Sequence, residues 1–207
     1  MQVIGLTGGV GSGKSTITHI LQEQYGAHII ECDALGHQVL MPEGEAYHPV
    51  RRLLGDTILD ADGRIDRAKV AGIVFQDEKL LQEMNAIIHP AVIHEVERQI
   101  KEKEQEGKCA YVVMETALMI EAGLGRCCDQ IWYVYAEEEI RKARLMASRG
   151  YTEERIRAVM DRQKSEAEFR SIADVVIDNS GEKAETEQQI KEALSTIKDE
   201  GSRRRQV

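Results

Sequence analysis

Short apolar runs alternate with stretches whose apolar residues recur every three or four positions, and this alternation continues along most of the chain. Val3-Ile4-Gly5-Leu6-Thr7 reads as a first buried strand. Ile17, Ile20, Leu21 and Tyr25 then fall at helical spacing, and Gly26 is placed to cap the end of that helix. His28-Ile29-Ile30-Glu31-Cys32 reads as a second strand, ending at Asp33. Further strands are expected at residues 111–114, 131–135 and 175–177, the last closing with Asp178-Asn179-Ser180-Gly181. Five strands interleaved with helices predict an α/β fold built on a parallel sheet.

Two excursions interrupt the alternation. Between the second and third strands lie roughly seventy residues, more than a simple crossover uses, and their pattern is helical in pieces. One of those helices is expected to begin at Pro90 and to run through Val92, Val96 and Ile100 into Lys101-Glu102-Lys103-Glu104. The second excursion, about residues 137–169, is helical and holds Arg141, Arg144, Arg149, Arg155, Arg157 and Arg162, with Arg170 just beyond. Thr152 followed by Glu153 and Glu154 reads as an N-cap with a favourable first turn, which makes Arg149-Gly150-Tyr151 a corner between helices. The final Gly201-Ser202-Arg203-Arg204-Arg205 is expected to fray.

Composition narrows the classes. Twenty-seven basic residues against 36 acidic give a formal net charge of −9 over 207 residues, the wrong sign for a protein that neutralises duplex phosphates. No apolar run approaches the roughly 18 residues of a membrane span, and Met1-Gln2-Val3-Ile4-Gly5-Leu6 lacks the basic start of a signal peptide. The expectation is a cytoplasmic protein with neither nucleic acid nor membrane as partner, a monomer or small homo-oligomer. Cys32, Cys109, Cys127 and Cys128 show no C-x-x-C spacing, and the five-residue step from His89 to His94 is not that of a two-histidine metal helix.

The chemistry concentrates in Gly8-Gly9-Val10-Gly11-Ser12-Gly13-Lys14-Ser15, which fits G-x-x-x-x-G-K-[ST] at every fixed position. The chain's own residue frequencies give a chance match in roughly half a percent of such sequences. Placed between a strand and a helix, such a loop turns backbone N–H groups toward an anion, and the helix N-terminus adds partial positive charge. Gly9, Gly11, Ser12, Gly13 and Thr16 are expected to surround the phosphates of a purine nucleoside triphosphate. Lys14 is expected to reach the β- and γ-phosphates, and the Ser15 hydroxyl to take one position on Mg²⁺.

Several classes that share glycine-rich loops fall away. Neither Asn85 nor Asn179 begins the N-K-x-D element of a GTPase switch, and Asp60-Ala61-Asp62-Gly63 reads as a turn. Arg64 and Ile65 spoil a calcium loop, and Lys14 stands where a dinucleotide fold needs its third glycine. Asp33 then favours an alcohol acceptor, because a carboxylate across the crevice can take the proton of an attacking hydroxyl, whereas a phosphate acceptor needs no base. Asp33 as a helix cap or an outer magnesium contact is the alternative. Arg144, followed by Arg149, is the expected lid arginine stabilising the transferred phosphoryl group.

Taken together these residues resemble the dephospho-CoA kinase family over about residues 2–181. The likeness rests on residues 6–16, Asp33, Asp62-Gly63, Ile65-Asp66-Arg67, His89-Pro90, Glu121, Arg144-Leu145-Met146, Gln163 and residues 173–179. The resemblance implies a three-layer P-loop α/β/α core with a five-stranded parallel sheet (about 1–33, 109–136 and 172–200), a helical acceptor-binding insert (about 34–108) and a helical lid (about 137–171). It also implies transfer of phosphate from ATP, with Mg²⁺, to the ribose 3′-hydroxyl of dephospho-CoA. Asp33 would be the base, Lys14 the phosphate lysine and Arg144 the lid arginine, with Asn179 near the adenine. Leu118, Glu121 and Arg149 would contact the acceptor, and His89 would either shape the acceptor site or, with Pro90, simply begin a helix. Three positions depart from the family's habit: Glu31 in place of Asp, His37 in place of Arg, and Thr116-Ala117-Leu118 in place of Pro-Leu-Leu. A shikimate- or gluconate-type kinase, or an ATP-sensing module without catalysis, are the competing readings.

Overall fold

The computed structural model describes residues 1–204, with side chains as far as residue 197. Five strands, β1 (Gln2–Thr7), β2 (His28–Glu31), β3 (Tyr111–Glu115), β4 (Gln130–Tyr135) and β5 (Val175–Asp178), pair in the order β2-β3-β1-β4-β5, every pair parallel. Alternation along the strands sends side chains to opposite faces, and the burial follows it. Val3, Ile30, Val112 and Met114 face one apolar layer; Ile4, Leu6, Tyr111, Val113, Trp132, Val134 and Ile177 face the other. The result is the expected three-layer α/β/α arrangement.

The second layer is closed by α1 (Lys14–Tyr25), through Ile17, Ile20 and Leu21, and by α9 (Lys183–Arg204), through Ile190, Ala193, Leu194 and Ile197. Gly26 ends α1 at φ 64°, donating its N–H back to the Gln22 and Leu21 carbonyls, as its position after the apolar stripe predicts. At the other terminus α9 continues as helix to Arg204 where fraying is expected; Arg205 lies outside the described residues. Docking of its apolar face against the sheet lets that helix propagate.

The first layer is covered by α2 (Cys32–Gln38), α3 (Tyr47–Leu54), α4 (Arg67–Val74) and α5 (Glu78–Glu106). Two expectations are corrected here. The second strand stops at Glu31, and Cys32 and Asp33 already form the first turn of α2. Pro90 does not start a helix: α5 begins twelve residues earlier, where the Asp77 carboxylate accepts from the Leu80 N–H, and Pro90 lies inside it. An internal proline costs about 3 kcal/mol through its missing N–H and ring clash. Met84 before it and Ala91, Val92, Ile93 and Val96 after it are buried in one cluster, which holds both halves in a single helix. Asp60-Ala61-Asp62-Gly63 is the predicted turn, with Asp60 Oδ1 accepting from the N–H groups of Asp62 and Arg64 at 2.9 Å.

Between β4 and β5 run α6 (Glu138–Arg149), α7 (Glu153–Met160) and α8 (Glu166–Ile172). Gly150 turns the α6–α7 corner at φ 61°, and Thr152 caps α7 by accepting from the Arg155 N–H, as read from the sequence.

Candidate functional site

The loop between β1 and α1, residues 8–13, lies at the C-terminal edge of the sheet. Gly13 directly precedes α1 at φ 92° with no side-chain cap, so the first N–H groups of the helix are left for a ligand. A side chain at Gly13 would also overlap the Asn179 carboxamide. Asn179 closes off this side of the loop: its Nδ2 donates to the Ser12 carbonyl at 2.8 Å, and its Oδ1 accepts from Thr186 Oγ1 at 3.1 Å. Arg144 reinforces the seam, donating to the Asn179 carbonyl at 2.8 Å and to the Ser12 carbonyl at 3.4 Å.

A cavity of about 510 Å³ opens in front of the loop, lined by Val10, Gly11, Gly13, Lys14, Ser15, Arg144 and Arg149 on one side and by Glu31, Asp33, Glu115 and Thr116 on the other. Parallel register explains the acidic wall: Glu31 of β2 and Glu115 of β3 are paired residues, and Glu115 also pairs with Leu6 just ahead of the loop. The Lys14 ammonium donates to the Gly8 carbonyl at 2.9 Å. Burial holds its pKa below the ordinary lysine range, while Glu115 and Asp33 pull it back up. Burial raises the Glu115 pKa against the attraction of Lys14, and the neighbouring Glu31 and Asp33 push it the same way. Glu115 lines this cavity, and sequence reading missed it. The apolar run of β3 ends on it, but only the strand order brings it beside a loop more than a hundred positions earlier.

A second, apolar cavity of about 620 Å³ adjoins the first, and Asp33 lines both. Its walls come from α2 (His37), Leu40 just beyond it, α4 (Val70, Val74), the neighbouring Phe75, α5 (Leu81, Met84, Ile88), and Ala117 and Leu118 after β3. Phe75 is 72% exposed and Leu118 46% exposed, so both present apolar surface to whatever fills the groove. Of the residues expected at the acceptor, Leu118 lines this second cavity and Arg149 the first. His89 and Glu121 line neither cavity. His89 follows Ile88 on α5 and is turned about 100° from it around the helix axis; burial lowers its pKa, with Glu121 opposing.

The donor set suits a magnesium ion. Ser15 offers a hydroxyl at the start of α1, and Glu115, Glu31 and Asp33 offer carboxylate oxygens on the facing wall, all hard ligands. Among the described residues no three His, Cys, Asp or Glu side chains stand close enough to hold a metal by themselves. No helix among the described residues is long and apolar enough to cross a membrane.

A glycine-rich loop opening α1, on an all-parallel sheet whose C-terminal edge carries Lys14 opposite three carboxylates, defines a P-loop phosphotransferase fold. Comparison with known proteins narrows the class. The dephospho-CoA kinase family profile matches residues 2–185. The curated dephospho-CoA kinase of Carboxydothermus hydrogenoformans is 42% identical over 190 residues, 92% of this chain and 91% of that one. Among solved structures, the dephospho-CoA kinase from Campylobacter jejuni superposes with a TM-score of 0.68 at 21% identity, covering 96% of this chain and 98% of that one. A shikimate kinase from Acinetobacter baumannii shares the fold at a TM-score of 0.53 and 17% identity, covering 96% and 94%. The chain belongs to the dephospho-CoA kinase family.

Proposed function

We propose that this chain transfers the γ-phosphoryl group of ATP to the ribose 3′-hydroxyl of dephospho-CoA, giving coenzyme A and ADP. The observation that carries the reading is the place of Asp33, where the charged cavity in front of the glycine-rich loop meets an apolar groove. An acceptor nucleotide with a long arm that carries methylene and gem-dimethyl groups fills such a groove, and its ribose then lies at the junction beside Asp33. A polyhydroxylated acceptor such as shikimate or a sugar acid has no group to cover Phe75, Leu118, Val74 and Met84.

The residue roles follow from placement. The N–H groups of residues 11–16 hold the β-phosphate, with Gly9 letting the loop pass close beneath the lid. Lys14 leaves the Gly8 carbonyl for the β- and γ-phosphates, and its burial sharpens that attraction. Asp33 accepts the proton of the attacking hydroxyl. Arg149 faces the same cavity and neutralises charge on the transferred group, while Arg144, bound to the Ser12 and Asn179 carbonyls, forms the wall on the nucleobase side. Asn179 acts through the loop it supports, since its carboxamide is engaged by Ser12 and Thr186. Ser15 and Glu115 would hold Mg²⁺, whose charge, when bound, would offset that of the transferred phosphoryl group. Leu118 contacts the acceptor; His89 and Glu121, outside both cavities, do not in this reading. We assign the sheet with α1 and α9 as the core, the α2–α5 segment as the acceptor-binding insert and α6–α8 as the lid.

The test is an ADP-release assay over a panel of acceptors: dephospho-CoA, AMP, adenosine, pantothenate and shikimate. Turnover with dephospho-CoA and phosphate on the 3′-oxygen of the product is the expected result. Turnover with AMP or shikimate in its place, or phosphate on the 2′-oxygen, sinks the reading.

A further inference from the structure

The tip of the phosphate loop is tied to the α6–α8 segment through a single residue. The Val10 N–H donates to Gln163 Oε1 at 2.9 Å, and the Val10 carbonyl accepts from Arg141 Nε at 2.9 Å. Arg141 Nη2 completes the triangle by donating to the same Gln163 oxygen at 3.2 Å. Both backbone polar groups of one loop residue are therefore satisfied by side chains more than a hundred positions away. Gly9 is part of the fit, because any side chain there would overlap the Arg141 guanidinium, and Gly11 packs against the Arg141 carbonyl and Leu145.

Gln163 is itself held firmly. Its N–H donates to the Met160 carbonyl at 3.0 Å as α7 ends, and two residues later Ser165 and Glu168 form a reciprocal capping box that starts α8. Gln163 lines the phosphate-side cavity and also a larger one of about 800 Å³ behind the loop. In that rear cavity Lys142 pairs with Glu138 and Glu139, and Lys164 with Glu168, so these cations are already engaged.

We propose that Gln163 and Arg141 are positioning residues, a latch from the α6–α8 segment that keeps the loop tip in the shape that receives a nucleotide's phosphates. The inference rests on the nucleotide-binding reading of the loop. With Asn179 and Arg144 fixing the Ser12 side and this latch fixing Val10, the glycine-rich segment between them is ordered before the anion arrives. Binding then does not have to order it, which raises affinity without adding a contact.

Both contacts to Gln163 use one oxygen, and that separates the variants. Gln163→Met keeps the length and removes the acceptor; Gln163→Glu keeps the acceptor. ADP and ATP affinity is measured directly by calorimetry on the full chain, and steady-state kinetics are run with each substrate varied. Q163M and Arg141→Met are each expected to weaken ADP binding roughly tenfold, the order expected when a partly buried donor loses its partner. The KM for the acceptor stays within about twofold, Q163E binds ADP closer to the parent than Q163M does, and the double variant falls short of the product of the single effects. A Q163M protein that melts lower yet binds ADP as the parent does overturns the proposal, as does a loss shared equally by both substrates. Should Q163M not fold, R141M carries the same comparison. Because ADP binding is read without any acceptor, lack of turnover with dephospho-CoA bears on the functional reading alone.

Discussion

The Asn179 carboxamide donates to the Ser12 carbonyl at 2.8 Å, joining the end of β5 to a loop 167 positions earlier. Both residues are buried, and Thr186 supplies the other half of the link. Replacing Asn179 by alanine leaves the Ser12 carbonyl and the Thr186 hydroxyl buried without these partners. A loss of about 1–3 kcal/mol in unfolding free energy is expected, read by urea denaturation, together with weaker ADP binding. A variant as stable as the parent contradicts this account of the seam.

Asp33→Asn removes the proposed base without altering shape. The kcat should drop by about 10²–10⁴, while ADP affinity stays within a few-fold of the parent. Single-turnover kinetics with saturating substrates separate the two effects. Retained kcat means that Asp33 does not take the proton.

Glu115→Gln tests the residue found only through the fold. If its carboxylate helps hold the ion opposite Ser15, the Mg²⁺ concentration for half-maximal rate rises by roughly 10–100-fold, the scale on which metal affinity falls when supporting groups are lost. A Mg²⁺ titration of parent and variant that gives one midpoint for both removes Glu115 from that role.

Phe75 is 72% exposed, so little folding free energy depends on it. Phe75→Ser should leave the melting temperature within about 2 °C, since surface changes fall within about 0.5 kcal/mol. Losing its burial under the acceptor's arm should raise the acceptor KM about tenfold, with the KM for ATP unchanged. An unchanged acceptor KM places the arm elsewhere.

His89 gives a pH dependence of known sign. Burial keeps its pKa below the ordinary 6.5 in the folded chain, so as pH falls below that value the unfolded chain takes up the proton first. The contribution of His89 to stability is complete above about 6.5 and is lost as pH drops through the folded pKa. His89→Gln should therefore lose less stability between pH 8 and pH 5 than the parent. Some slope persists, because burial and Lys103 lower the pKa of His28 in the same direction. Parallel denaturation midpoints for parent and variant across that range count against the assignment.

Features set by neighbouring residues were legible in the chain itself. The five strands, the Gly26 cap, the Thr152 cap and the Lys14 loop all follow from runs, spacings and turn chemistry that act over a few positions. Pro90 shows where local rules fail. Its helix-starting preference is real, but the apolar cluster on both sides of it outweighs the local cost, and that cluster exists only once α5 packs on the sheet.

What the sequence alone determined was the chemistry available: a loop for phosphates, a candidate base at Asp33 and arginines to spare in the second excursion. Its family likeness supplied the acceptor. Tertiary structure decided which groups meet. The order β2-β3-β1-β4-β5 sets Glu115 beside Lys14, and the return of α6–α8 over the loop selects Arg141 and Gln163 for its tip. The junction of two cavities gives Asp33 the polar cavity of the glycine-rich loop on one side and an apolar groove on the other. Such pairings span 100 or more positions, and no periodicity within a segment records them, because strand order and helix docking are properties of the packed whole.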